Sequence, residues 1–143
     1  MSSRLSAAFA ARAGSTGLIP FLTAGYPSLE VSLELLRAFE RAGAMAIEVG
    51  VPFSDPIADG PVIQRSSQEA LAGGMTLAGT LDLIAAARVD RPVVVFSYLN
   101  PVFRYGFDRF LRDAEALGVA GLLLTDLPAG SDPGIESLVR ESP

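Results

Sequence analysis

Three carboxylates fall in one short stretch, AMAIEVGVPFSDPIADGP at residues 44–61: Glu48 in an alternating apolar segment, then Asp55 and Asp59 in the proline-rich loop behind it. Successive side chains of an extended strand point to opposite faces. Ala44, Ala46, Glu48 and Gly50 therefore share one face, and Met45, Ile47, Val49 and Val51 the other. A glutamate among small residues at the end of a strand is placed to meet a ligand, whereas the same residue paired with an arginine would be only a structural acid. Pro52, Pro56 and Pro61 stiffen the loop, and Gly60 is available for a positive φ. Asp-Pro and Asp-Gly are also ordinary turn sequences whose carboxylates cap their own backbone. Because the loop follows the strand that bears Glu48, the three acids are expected to converge on one cleft. They would act there as an acid/base pair or, with Asp126 as a further ligand, as a Mg²⁺ site.

Composition narrows the chemistry. The chain has no His, Cys or Trp, and all 11 basic residues are Arg. That removes imidazole bases, the usual zinc sets, thiol nucleophiles, disulfides and lysine Schiff bases, so carboxylates must carry any proton transfer. A net charge of −5 with no arginine cluster argues against nucleic acid as the main partner. No apolar run approaches the roughly 20 residues of a membrane span. The stretch from Leu5 to Ala11 is too short, and too soon followed by Arg12, to read as a targeting segment. A soluble cytoplasmic protein is expected.

Four apolar extended segments, at 17–25, 44–51, 92–100 and 120–128, alternate with helical ones. Leu5 and Phe9 suit a short N-terminal helix packed on the domain. A helix is expected behind the cap Ser28, burying Val31, Leu35, Ala38, Phe39 and Ala42 and ending at Gly43. Residues 62–88 give two shorter helices broken at Gly73 and Gly74, the second using Leu77, Leu81, Ile84 and Ala85. A helix from Phe107 to Leu117 buries Phe107, Phe110, Leu111, Ala114 and Leu117, carries the pair Asp108 and Arg112, and ends at Gly118. Ser131 or Asp132 starts one more helix before Pro133.

Parallel strands joined by helical crossovers lead to an open doubly wound sheet or to a closed (β/α)₈ TIM barrel. Both place the site at the carboxyl ends of the strands. Thr23 and Gly25, Glu48 and Gly50, Ser97, Tyr98 and Asn100, and Thr125 and Asp126 stand at those ends. No G-x-G-x-x-G follows the first strand, which favours the barrel. A barrel takes about 250 residues, so a chain of 143 residues reads as one domain supplying about the first four βα units. As such it looks truncated, with two strand edges and an apolar inner face left open. Phe21, Tyr98, Phe103 and Tyr105 are candidates for the walls of a flat apolar pocket, although core packing explains any one of them alone.

The runs PFLTAGYP at 20–27, IEVGVPFSDPIADGPVIQ at 47–64, YLNPVFRYG at 98–106 and TDLP at 125–128 closely resemble the tryptophan synthase α subunit over essentially the whole chain. The resemblance implies a (β/α)₈ lyase that cleaves indole-3-glycerol phosphate to indole and glyceraldehyde 3-phosphate without a cofactor or metal of its own. Glu48 matches the family's catalytic glutamate, which shuttles protons as general acid and then base. Asp59 matches its catalytic aspartate, which holds the indole N–H. Phe21 and Tyr98 match positions lining the indole pocket, and Asp55 and Asn100 lie in loops resembling the contact surface with the β subunit. An α2β2 heterotetramer is implied, with pyridoxal phosphate in the β subunit alone. The family's phosphate-binding loops follow later strands, so the 143 residues alone are expected to turn over little or no substrate. Two other readings are open: a barrel enzyme using Mg²⁺ on Asp55, Asp59 and Asp126 against a phosphorylated sugar, and a module that only binds and activates a partner.

Overall fold

A computed structural model describes residues 3–141. Its elements run α1 (Arg4–Ala11), β1 (Phe21–Thr23), α2 (Leu29–Arg41), β2 (Ile47–Gly50), α3 (Pro61–Ala72), α4 (Leu77–Ala87), β3 (Val93–Ser97), α5 (Leu99–Tyr105), α6 (Phe107–Ala116), β4 (Gly121–Leu124) and α7 (Pro133–Glu141). The strands are all parallel and lie in the order β1-β2-β3-β4. A doubly wound sheet reverses its strand order part-way, whereas a barrel lays each new strand beside the last. The order here is the barrel's.

Register separates the two faces of the sheet. Leu22, Val49, Val95 and Leu122 stand level across the four strands. The first three are buried in the core that also takes Leu36 of α2, Leu81 and Ile84 of α4, and Phe110 of α6. Full burial of one such aliphatic side chain stabilises the fold by roughly 1.5–3 kcal/mol. The opposite face carries the rows Phe21, Glu48, Val94, Gly121 and Thr23, Gly50, Phe96, Leu123. It is only partly covered: Phe21, Glu48, Val94 and Phe96 are half-buried and Leu123 is exposed.

Local signals set most helix ends. The Ser28 hydroxyl accepts from the Val31 amide at 3.2 Å to start α2, and Gly43, at φ 81°, lets the chain leave it. Asp132, rather than Ser131, caps α7 by accepting from the Ile135 amide at 3.1 Å.

Some expected packing is corrected. On α2, Leu35 and Phe39 of the expected stripe pack against the core, but the fully buried residues are Ser32 and Leu36, and Val31 is 42% exposed. Ser32 belongs inside because its hydroxyl donates to the Tyr26 carbonyl and accepts from the Gly25 amide, satisfying the backbone of the turn after β1. On α4, Leu83 and Ala87 are buried in place of Ala85. Leu117 of the next turn after α6 is exposed, and that helix carries its ion pair between Arg109 and Asp113, at 3.5 Å, instead of between Asp108 and Arg112. Helix α1 buries no residue, and Phe9 is exposed. What docks α1 is Arg4, whose guanidinium donates to the carbonyls of Gly118 and Asp90, each at 2.8 Å. Among the described residues no single helix is long and apolar enough to cross a membrane.

Candidate active site

The carboxyl ends of β1, β2 and β3 build the site. Gly50 ends β2 beneath the Phe21 ring, which also meets Phe96 edge-on at 5.4 Å between centroids. Buried Val51 and Pro52 then lead the chain into the loop that precedes α3. Helix α3 begins at Pro61, where a missing N–H costs nothing, behind Gly60. That glycine is extended, at φ −77°, so the positive φ expected of it is not used.

Asp59 stands next to this helix start and is held from several sides. Its amide donates to the Pro56 carbonyl at 3.1 Å, and Gln64 Nε2 donates to its carbonyl at 2.8 Å. The Tyr98 hydroxyl donates to Asp59 Oδ2 at 2.9 Å and accepts from the Ala58 amide at 2.9 Å. Tyr98 is 3% exposed, and its ring tilts against Phe53 at 5.0 Å. Burial, then the bond to Asp59, pushes the Tyr98 phenol above its ordinary pKa.

Helix α3 is seated on β1 by a buried hydroxyl pair, Thr23 Oγ1 and Ser66 Oγ at 2.7 Å. Ser66 also donates to the Ile63 carbonyl at 2.9 Å, so its single proton is spent there and Thr23 is the donor within the pair. The next residue, Ser67, is also buried and faces the strand ends.

These elements close around a narrow cavity of about 10 Å³, lined by Phe21, Gly50, Asp59, Ser67, Phe96 and Tyr98 among others. That is room for about one water. A wider cavity of about 640 Å³ lies between α2, α3, α4 and the turn after β1, and none of Glu48, Asp59 and Tyr98 lines it. Position therefore singles out the smaller one.

The structure gathers Phe21, Asp59 and Tyr98 on this cavity. Glu48 is not on its wall. It stands one strand step below Gly50 on the same sheet face, level with Phe21 and Val94 rather than among small residues. Among the described residues its carboxylate makes no hydrogen bond or ion pair, which leaves it open to a ligand.

The convergence of three carboxylates is not found. Asp55 is exposed and accepts from its neighbour Ser54 at 2.6 Å, and Asp126 accepts from the Leu99 amide at 2.7 Å to cap α5. Among the described residues no three acids group in a way that would hold a metal ion, so the Mg²⁺ reading loses its ligand set. Asn100 is exposed on α5, in a segment expected to be loop. Phe103 and Tyr105 are not pocket walls. Phe103 is 69% exposed, and Tyr105 packs against the edge of the core, where its hydroxyl donates to Asp113 at 2.6 Å beneath the Arg109 guanidinium.

Phe96, Ile63 and Ser67 are wall residues that the sequence reading does not single out, although signals for them exist. Phe96 alternates with Val94 and Tyr98 along β3, and Ser67 lies one helical turn beyond Ile63, which also faces the cavity.

Residues 8–142 match the family model described as tryptophan synthase alpha chain. The tryptophan synthase alpha chain of Nitratidesulfovibrio vulgaris (strain DP4) is 50% identical over 129 residues, covering 89% of this chain and 50% of that protein. Among solved structures, the alpha subunit from Legionella pneumophila str. Paris superposes with a TM-score of 0.93 at 33% identity, covering 99% of this chain and 56% of that one. The aminoacrylate-bound tryptophan synthase from M. tuberculosis gives 0.91 at 38%, covering 98% and 58%. The chain thus spans about half the length of the relatives it matches, and its four βα units form part of a (β/α)₈ barrel. It belongs to the tryptophan synthase alpha chain family.

Proposed function

We propose that this chain carries the ring-binding and proton-transfer part of a cytoplasmic lyase of tryptophan biosynthesis, cleaving indole-3-glycerol phosphate to indole and glyceraldehyde 3-phosphate. The observation that carries this reading is the placing of the Asp59 carboxylate, tethered by Tyr98, at a cavity walled by Phe21 and Phe96, with the unpaired Glu48 on the same sheet face.

A cavity of about 10 Å³ cannot enclose a bicyclic ring, so the indole lies across its mouth with the N–H toward Asp59. The carboxylate then stabilises the positive charge that develops on the ring nitrogen as C3 takes a proton. Glu48 in its acid form gives C3 that proton. As carboxylate it accepts the proton of the glycerol 3-hydroxyl. The bond from C3 to the glycerol carbon breaks, its electron pair returns to the ring, and the hydroxyl oxygen becomes the aldehyde carbonyl. One proton enters and one leaves, so Glu48 ends as it began. No cofactor is used on this chain.

The exposed Asp55 and Asn100, beside exposed Ile57, Val62 and Phe103, suit a contact surface for a pyridoxal-phosphate-bearing β subunit in an α2β2 assembly. The phosphate group is assigned no residue here, and cleavage by residues 1–143 alone is expected to be slight.

The test is a hybrid in which these residues replace the matching part of the Nitratidesulfovibrio vulgaris alpha chain. Indole release by the hybrid is expected to fall about 10²–10⁴-fold in Glu48→Gln, and Asp59→Asn should lower it while leaving β-subunit binding intact. Unchanged release in Glu48→Gln would overturn the assignment.

A further inference from the structure

We infer that Tyr98 is a positioning residue for Asp59, acting through its hydroxyl and not only as a ring in the pocket wall. The inference rests on the reading of Asp59 as the acceptor of the ring N–H. A phenol has one proton to give and lone pairs to receive with. At Tyr98 the Ala58 amide donates into the oxygen at 2.9 Å, so the phenolic proton is free to point along the other contact, to Asp59 Oδ2 at 2.9 Å. The hydroxyl is thereby fixed from both sides. It is also 3% exposed as a residue, so bulk water competes poorly for either bond.

Two consequences follow for the carboxylate. Oδ2 is engaged, which leaves Oδ1 to meet a donor from the ligand. The backbone just before Asp59 is tied to the same tyrosine, the Ala58 amide donating to the Tyr98 hydroxyl oxygen, so loop and carboxylate are held as one unit. Tyr98 itself directly follows β3 and leads into α5, with Phe53 against its ring. A loop residue is in this way referenced to the rigid sheet, which lowers the reorganisation needed when charge develops on a bound ring. Phenylalanine at position 98 would keep the wall and lose the tether.

Tyr98→Phe, Asp59→Asn and the double variant of the 143-residue chain test this by three readouts. Hydrogen exchange of the Ala58 amide should speed up about tenfold in Tyr98→Phe, the loss of one part-buried bond. The Tyr98 phenol, followed by carbon NMR at its ζ position, should titrate lower in Asp59→Asn, where the charged acceptor is gone. Indole affinity should weaken about 5- to 20-fold in Tyr98→Phe, and the double variant should bind little more weakly than Asp59→Asn alone. An unmoved Ala58 exchange rate together with an unmoved phenol titration would overturn the tether whether or not indole binds. If the parent chain fails to bind indole, the ring-binding reading falls, while the first two readouts still decide the tether. Should Tyr98→Phe not fold, the Asp59→Asn titration decides it.

Discussion

The Phe21 ring lies so close over Gly50 that a Cβ at position 50 would sit 2.6 Å from Phe21 Cζ and 3.3 Å from the Leu22 carbonyl oxygen. The strand end needs a residue without a side chain because an aromatic wall of the cavity occupies that space. Gly50 is thus a packing requirement of the site, independent of any freedom in φ.

Gly50→Ala should therefore push the Phe21 ring aside and disturb its edge-on contact with Phe96. Overpacking of this kind costs about 1–3 kcal/mol, measurable as a lower midpoint of urea unfolding with an unchanged slope. Indole affinity should drop with it. A variant of parental stability and affinity would show that Phe21 has room to move, and that the wall is not fixed by β2.

The hydroxyl pair of Thr23 and Ser66 ties α3, and with it the loop bearing Asp59, to β1. Ser66→Ala leaves the buried Thr23 hydroxyl without its acceptor, at a cost of about 1–3 kcal/mol. Thr23→Val removes the donor instead. If the pair acts as a unit, the double variant should be destabilised by clearly less than the sum of the two singles, a coupling of about 0.5–3 kcal/mol. Strict additivity in the unfolding free energies would mean that the pair is incidental to how α3 is seated.

Helix α5 depends on a distant cap. The Asp126 carboxylate accepts from the Leu99 amide across 27 residues of sequence, and Pro101 lies in the first turn, where a proline is tolerated. Asp126→Ala should destabilise the fold by about 1 kcal/mol and speed exchange of the Leu99 amide. Exchange at Leu99 as slow as in the parent would show that α5 holds its own N-terminus.

That helix also marks where reading the sequence stops. The ends of α2 were legible because Ser28 caps a residue only three positions on and Gly43 terminates its own turn. The four strands and their carboxyl ends were legible from alternation and from the polar residues placed there. The buried stripe of α2 slipped because a polar residue, Ser32, is drawn inside by backbone groups of the preceding turn, which periodicity in hydrophobicity does not register. Asp59 and Tyr98 were each put at the site, but the bond that joins them spans 39 residues and exists only once β2 and β3 lie side by side. Residue type alone makes Asp55 and Asp126 partners for Asp59, but Asp55 accepts from Ser54 and Asp126 from the Leu99 amide.

The alkaline limb of stability gives a test with few competing groups. With no Lys, His or Cys and 3 tyrosines in the chain, the side chains that titrate between about pH 9 and pH 11 are phenols. Two of them are held above the ordinary value of about 10: Tyr98 by burial and then its bond to Asp59, Tyr105 by its bond to Asp113 and then burial. A raised folded-state pKa means that the unfolded chain releases its proton first. The native state then binds more protons than the unfolded state, and stability falls as pH rises. The contribution of each phenol is complete below about pH 10 and disappears as pH climbs through the folded-state value. Urea midpoints should therefore decline from about pH 9 upward, less steeply in Tyr98→Phe or Tyr105→Phe than in the parent, and least in the double variant. Parallel curves for the parent and the double variant would show that neither phenol is tied to its carboxylate, which would break the link between Tyr98 and Asp59 on which the geometry of the site depends.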